Sequence, residues 1–219
     1  MASRLAFVFP GQGSQYAGMG KEIHDAFGSA REAFLEADEA LGFPISQLCF
    51  QGPEEALRLT QNTQPAILTV SIAILRVLQE RGFQPDYVAG HSLGEYSALV
   101  CTGALMLTEA VQVVRKRARY MQEAVPAGTG AMAAILGLEA KLVVEACNEA
   151  SSEGIVSPAN YNSPDQTVIA GQTRAVEKAS DRAREKGAKR VVPLAVSAPF
   201  HCGLMAAACE RLAVDLSAL

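Results

Sequence analysis

The stretch DYVAGHSLGEYSALV, residues 86–100, decides the fold, because it passes from a short apolar strand through a glycine-rich corner into a helix. Its segment GHSLG, residues 90–94, fits the G-x-S-x-G pattern, which at a strand-to-helix corner is typical of a nucleophile elbow. The same letters also fit a plain glycine-rich turn in which Ser92 only caps a helix. The flanking strand and helix favour the elbow, and with it an α/β fold with a parallel sheet and a hydrolase-like core.

The segments on either side of this corner extend the α/β pattern. A short apolar run from Leu5 to Phe9 predicts a buried strand that leaves into the loop GQGSQ, residues 11–15. Helical patterns follow across residues 18–41, from Gln64 to Glu80, and from Thr108, as N-cap, to Val125. These elements belong to one large domain.

A different pattern begins after residue 127. Residues 130–196 read as strand, helix, strand, strand, helix and strand, the βαββαβ order of ferredoxin-like units. A segment with its own complete motif indicates a subdomain inserted in a larger domain. We therefore expect a large hydrolase-like domain made of 1–127 and 198–219, and a small subdomain made of 128–197.

The overall composition indicates an ordinary globular protein of 219 residues, 49% of them hydrophobic. Its formal net charge of −4 gives no reason to expect nucleic acid or an anionic membrane as a partner. Five cysteines without CxxC spacing favour a cytoplasmic location, and the apolar run before Pro10 is too short for a signal peptide or a membrane span. No set of side chains has the spacing of metal ligands, so we expect no metal site.

A serine nucleophile needs a base within hydrogen-bond reach, and the chain has three histidines. His91 lies beside Ser92 in the corner with its side chain directed elsewhere, and His24 lies in the charged segment KEIHDAF. His201 follows Ser92 in the chain order of hydrolase triads and lies where the inserted segment rejoins the large domain. His201 is therefore the expected base, although a histidine satisfied only structurally at a junction fits the same position.

One charge falls where an apolar side chain is expected. On a helical wheel at about 100° per residue, Arg117 lies in the middle of an arc formed by Val113, Val114, Ala118, Tyr120, Met121, Ala124 and Val125. A buried guanidinium requires an anion, and its fork matches a carboxylate. Three partners fit: an internal carboxylate, solvent reached by an outward-turned side chain, or the free carboxylate of a substrate bound near Ser92.

Together the segments GQGSQ, GHSLGEYSA, the helix with Arg117, Met121 and Gln122, and the loop with His201 resemble the malonyl-CoA:acyl carrier protein transacylases of fatty acid synthesis. TQPA at 63–66, GTGAMAAILGL at 128–138 and SPANYNSPDQTVIAG at 157–171 are similar to the same family. The resemblance covers the whole chain. It implies transfer of a malonyl group from malonyl-CoA to the phosphopantetheine thiol of acyl carrier protein, through a malonyl-serine intermediate and ping-pong kinetics.

The resemblance also implies residue roles: Ser92 is the nucleophile, His201 the general base and acid, and Arg117 the clamp on the malonyl carboxylate. The backbone amides of Gln12 and Leu93 correspond to the oxyanion hole, in agreement with the general hydrolase design. Further substrate-binding positions implied in this way are Gln64, Asn160, Asn162 and Phe200. No cofactor is implied, because malonyl-CoA is a substrate and the carrier protein brings the phosphopantetheine. We expect a monomer.

One departure from the family concerns the end of the chain at Leu219. Family members continue with further strands and helices, so we expect the C-terminal part of the core to be missing. The sequence therefore leaves two other readings open. One is a serine esterase or thioesterase with the same Ser92 and His201 that releases acid to water. The other is an inactive truncated fragment, or a scaffold that binds a carrier protein.

Overall fold

The computed structural model describes residues 4–126, 128–194, 196 and 198–219. The chain divides into two compact units, which we call the first unit (Met1–Arg119 with Asp215–Leu219) and the second unit (residues 120–214). Two of the predicted boundary residues, Ala127 and Ser197, lie outside the described residues.

The first unit is built around a parallel pair of strands. Its elements are β1 (Ala6–Phe9), α1 (Lys21–Ala26), α2 (Gly28–Leu41), α3 (Ile45–Gln51), α4 (Glu54–Leu57), α5 (Thr60–Glu80), β2 (Tyr87–Gly90), α6 (Gly94–Cys101) and most of α7 (Leu107–Glu123). β1 and β2 pair in parallel, with Ala6 opposite Tyr87 and Phe9 opposite Gly90. The predicted α/β class with a parallel sheet is confirmed, and the paired strand ends bring the loop after β1 next to the corner after β2.

The helix α5 forms the centre of this unit, because it packs against α2, α3 and α6. Its segment AILTVSIAIL is apolar nearly all round, as expected of a helix surrounded by others. Ile67, Leu68 and Ile72 are at most 3% exposed. α5 is therefore a rigid element on which other parts of the unit rest.

Two helix boundaries differ from the predicted ones. α5 begins at Thr60 rather than at Gln64, and Pro65 lies inside it. Pro65 is the sixth residue of α5, beyond the first four amides that have no intrahelical acceptor, so it removes one hydrogen bond from the helix without marking its start. α7 begins one residue before the predicted cap Thr108, and the Glu109 carboxylate accepts the Met106 N–H at 2.9 Å.

The second unit contains a four-stranded antiparallel sheet. Its elements are β3 (Gly130–Leu136), α8 (Ala140–Glu149), β4 (Val156–Ser163), β5 (Gln166–Gln172), α9 (Thr173–Glu185), β6 (Arg190–Pro193) and most of α10 (Ala206–Leu216). The strands lie in the order β4-β5-β3-β6, and every neighbouring pair is antiparallel. The chain follows the βαββαβ succession read from the sequence.

Alternate side chains of β3 serve two separate cores. Ala133 and Ile135 face one side, where α8 and α9 cover the sheet. Met132 and Ala134 face the other side, which is covered by side chains from the segments that flank the sheet in sequence. These are Tyr120, Met121, Val125, Ala198, Phe200, Met205 and Ala208. Both faces of the two central strands, β3 and β5, are thereby largely buried.

The second core explains why the second unit is larger than the predicted segment 128–197. The last turn of α7 and the segment from 198 to 214 contribute apolar side chains to the sheet. A periodic pattern shows that a helix has an apolar face, but it does not show which neighbour that face contacts. The compact units therefore divide inside α7 and α10.

Candidate active site

Ser92 lies on the turn between β2 and α6, and its backbone is left-handed with φ of 53°. Among the described residues other than glycine, only Ser92 and His201 have a positive φ, and the value for His201 is 59°. Such a conformation costs on the order of 1–3 kcal/mol and persists where the surrounding structure enforces it. The strained corner predicted for a nucleophile elbow is present at Ser92.

Glycines close the corner against β1. A Cβ on Gly90 would collide with the backbone of Gly94 and Glu95, and a Cβ on Gly94 would collide with the Phe9 carbonyl. The His91 N–H donates to the same Phe9 carbonyl oxygen at 3.0 Å. Only glycine fits at these two positions, which is the physical reason for the small residues of the pattern.

We expect Gly90→Ala to lower the free energy of unfolding by about 3 kcal/mol or more, because the added methyl group meets backbone that has no room to move. Urea denaturation followed by circular dichroism measures this. Gly28→Ala is the matched control, since a Cβ there meets nothing within 4 Å. A Gly90→Ala protein that unfolds at the wild-type urea concentration would show that close packing does not hold this corner.

The loop GQGSQ lies against the corner. A Cβ on Gly11 would collide with the backbone carbonyl of His91 and would lie 2.8 Å from the Nδ1 atom of the His91 ring. The loop therefore also depends on a glycine. Ser14 Oγ donates to the Gly11 carbonyl at 2.9 Å and tightens the turn. The Gln12 side chain leaves the loop and donates through Nε2 to Thr60 Oγ1 at 3.3 Å.

The two backbone amides predicted to form the oxyanion hole retain their donor capacity. The N–H groups of Gln12 and Leu93 donate to no acceptor within the described part of the chain. The Leu93 side chain is 1% exposed, which fixes the residue that directly follows Ser92. The arrangement suits an oxyanion hole, for which these two amides were the predicted donors.

Arg117 is 9% exposed, as the helical wheel predicts, and its guanidinium reaches Ser92. Its Nη2 donates to Ser92 Oγ at 3.1 Å, and its Nη1 donates to Gln64 Oε1 at 2.7 Å. Its Cζ lies 5.6 Å from the centre of the Tyr96 ring, within the range of a cation–π contact. A fixed positive charge therefore stands directly beside the nucleophile.

The first unit thus brings together Ser92, Arg117 and Gln64, three of the predicted site residues. A serine hydroxyl beside a guanidinium can form an acyl ester while the guanidinium binds an anionic group of the same substrate. The geometry therefore favours an acyl group that carries its own carboxylate.

Sequence reasoning missed Thr60 and Tyr96, which touch the site through Gln12 and Arg117. In each case the sequence spacing from a predicted site residue gave only a weak indication. Thr60 precedes Gln64 by one helical turn, and Tyr96 follows Ser92 by four residues. Neither spacing identifies a partner that is distant in sequence.

The remaining predicted residues lie in the second unit. His201 is exposed, and Phe200 before it is buried in the apolar core at 7% exposure. Cys202 Sγ donates to the Pro199 carbonyl at 3.1 Å, which closes a tight turn around the histidine. On β4, Asn160 is half-buried opposite Val168, and Asn162 is exposed. The buried neighbour and the tight turn hold the strained His201 backbone in place.

Two kinds of feature are absent from the described ranges. No helix in them is both long and apolar enough to cross a membrane. No three His, Cys, Asp or Glu side chains in them are grouped so as to hold a metal ion.

The chain is similar to known acyltransferases in sequence. The sequence profile of the acyl transferase domain matches residues 6–219. The malonyl CoA-acyl carrier protein transacylase of Bacillus subtilis strain 168 is 54% identical over 99% of this chain and 68% of that protein. The enzyme of the same name from Escherichia coli K12 is 51% identical over 98% of this chain and 70% of its own length.

The fold is also similar to that of a solved acyltransferase structure. It shows a malonyl-transacylase in complex with its type II polyketide synthase acyl-carrier protein, and it superposes with a TM-score of 0.96. The identity is 51%, over 99% of this chain and 71% of that one. The chain therefore belongs to the acyl transferase domain family, in the group whose members are named malonyl CoA-acyl carrier protein transacylases.

Proposed function

We propose that this chain transfers the malonyl group of malonyl-CoA to the phosphopantetheine thiol of an acyl carrier protein, in support of fatty acid synthesis. The observation that carries the proposal is the 3.1 Å hydrogen bond from Arg117 Nη2 to Ser92 Oγ. It places a buried guanidinium within reach of both the nucleophile and any carboxylate on the acyl group. The names of the close relatives supply the acyl donor and acceptor.

In the first half-reaction, His201 accepts the hydroxyl proton of Ser92 while Oγ bonds to the thioester carbonyl carbon. The amides of Gln12 and Leu93 donate to the oxyanion of the tetrahedral intermediate. The carbon–sulfur bond then breaks, and the coenzyme A thiolate takes the proton from His201. The product is a malonyl ester of Ser92.

In the second half-reaction, the phosphopantetheine thiol gives its proton to His201, and its sulfur attacks the ester carbonyl. The bond to Ser92 Oγ breaks, and Oγ takes the proton back. One histidine thus serves as base and then as acid in both directions. The reaction is ping-pong, because coenzyme A leaves before the carrier protein reacts.

Arg117 holds the malonyl carboxylate through both half-reactions. A bidentate pair between a guanidinium and a carboxylate fixes the orientation of the acyl group as well as its charge. Gln64 is bonded to the same guanidinium and belongs to the acyl-binding region. Phe200 shapes the acyl pocket, and Asn160 and Asn162 help to position the substrate.

We also infer the setting in which the chain acts. The second unit includes a ferredoxin-like subdomain, residues 128–197, inserted in a hydrolase-like domain of 1–127 and 198–219, and the protein acts as a cytoplasmic monomer without a bound cofactor. Burial raises the pKa of the Cys49 and Cys147 thiols to about 12, which keeps them protonated and suits free cysteines in a reducing compartment. A related enzyme has been captured with its carrier protein, which supports that partner.

The intact mass of the chain after mixing with malonyl-CoA tests the proposal. We expect a malonyl-sized increase, which disappears on addition of holo acyl carrier protein as the same mass appears on the carrier. Free malonate without malonyl carrier protein would favour the esterase or thioesterase reading. A folded chain that gains no mass would favour the inactive fragment.

A further inference from the structure

Two buried polar side chains on α5, Thr60 and Gln64, contact residues of the site but not Ser92 itself. Thr60 is 3% and Gln64 1% exposed, and they lie one helical turn apart on the same face of the helix. A buried polar group is costly unless it is hydrogen-bonded, so each of these two side chains needs a partner.

Each of the two side chains bonds to a different part of the acyl-transfer site. Thr60 Oγ1 accepts from Gln12 Nε2 at 3.3 Å, and Gln64 Oε1 accepts from Arg117 Nη1 at 2.7 Å. The backbone amide of Gln12 is one of the two proposed oxyanion-hole donors, and Arg117 carries the charge beside Ser92. One helix face therefore touches both the loop that stabilises the oxyanion and the group that binds the carboxylate.

The start of α5 is itself held firmly. Asn62 Nδ2 donates to the Ala56 carbonyl at 2.9 Å, and Thr63 Oγ1 donates to the Leu57 carbonyl at 2.6 Å. Both bonds tie the first turn of α5 to α4. The helix as a whole packs against α2, α3 and α6, so its first turns provide a rigid support for the two side chains.

We propose that Thr60 and Gln64 are positioning residues, an inference that rests on the proposed function. Thr60 positions the loop that binds the oxyanion, and Gln64 independently positions the guanidinium that binds the carboxylate. Thr60 fixes the Gln12 loop, so that the Gln12 amide points to the oxyanion of any acyl group. Gln64 fixes one edge of the Arg117 guanidinium, so that the other edge is presented to a carboxylate. The two residues therefore differ in which substrates they affect.

This difference allows a direct test with malonyl-CoA and acetyl-CoA. The measured quantity is the single-turnover rate of Ser92 acylation, followed by intact mass on the full chain. Thr60→Val keeps the shape and removes the hydroxyl, and we expect it to slow both substrates about tenfold, because small misplacements of catalytic groups have large effects on rate. Thr60→Ser restores the hydroxyl and should return both rates to within about threefold of wild type.

Gln64 variants should change the ratio of the two rates. We expect Gln64→Met to slow malonyl transfer about tenfold or more and acetyl transfer much less, since acetyl has no carboxylate to orient. Gln64→Glu places a carboxylate on the same guanidinium, where it competes with the malonyl group. The malonyl rate should therefore fall further in Gln64→Glu than in Gln64→Met.

Thr63→Val is the matched control, because the Thr63 hydroxyl lies in the same turn and donates to the backbone carbonyls of Leu57 and Leu59. We expect it to lower the melting temperature and to leave the malonyl-to-acetyl ratio unchanged. Equal losses for both substrates in Gln64→Met, or a Thr60→Ser protein as slow as Thr60→Val, would overturn the inference. A wild-type chain that gains no malonyl mass would remove the proposed function and this inference together, whereas an acylated wild type with unaffected variants removes only the inference.

Discussion

Replacement of Ser92 by alanine is expected to abolish the malonyl adduct and to lower the rate of transfer to carrier protein by at least about 10⁴-fold. Without Oγ there is no atom that can accept the acyl group, so only direct attack by the carrier thiol on malonyl-CoA remains. The measurement combines intact mass with a steady-state assay of malonyl carrier protein. Because alanine is small and apolar, the folded state is kept and the loss is chemical.

Ser97→Ala provides the control for this experiment. Ser97 is fully buried in α6, and its Oγ has no hydrogen-bond partner within the described part of the chain. Removal of an unsatisfied hydroxyl is expected to keep or slightly raise stability, with transfer unchanged. A malonyl adduct that persists on Ser92→Ala would place the nucleophile at another residue.

Arg117→Ala is expected to lower kcat/KM for malonyl-CoA by roughly 10²–10⁴-fold, since truncation of one partner of a buried charge pair costs about 2–5 kcal/mol. The value for acetyl-CoA should change by less than about tenfold, because acetyl offers the guanidinium no anion. The enzyme would therefore lose its preference for malonyl. Competition between the two thioesters, read by the mass of the acyl-enzyme, measures this preference directly.

Two further variants define what Arg117 contributes. Arg117→Lys keeps the positive charge but removes the planar guanidinium that can donate two parallel hydrogen bonds. Its malonyl rate should therefore lie between those of Arg117→Ala and the wild type. Arg115→Ala is the control on the same helix, where Arg115 donates to the Leu41 carbonyl and stacks on Phe43 away from Ser92. A malonyl preference that survives in Arg117→Ala would assign the carboxylate to another group.

The corner at Ser92 was predictable because its constraints are local. Gly90 and Gly94 are required by backbone that lies within a few residues or on the paired strand, and the pattern states this directly. The buried position of Arg117 was also predictable, because helical periodicity alone places it on the apolar face. In both cases, residues close together in the sequence are sufficient to predict the local structure.

Contacts between distant segments were not predictable in this way. Gln64 and Arg117 are 53 positions apart, and Gln12 and Thr60 are 48 apart, so no periodicity links them. The extent of the second unit depends on such contacts as well, because the side chains in the last turn of α7 pack against strands that follow it in sequence. Resemblance to a family could name Gln64 and Gln12, but it did not indicate what holds them.

The left-handed backbone of Ser92 also sets a limit on how stable this protein can be. A glycine at that position would relieve the strain and would fold more easily, but it would have no hydroxyl to carry an acyl group. Stability and activity are therefore opposed at this one residue. A search for better-folding variants that ignores activity would tend to select against the nucleophile itself.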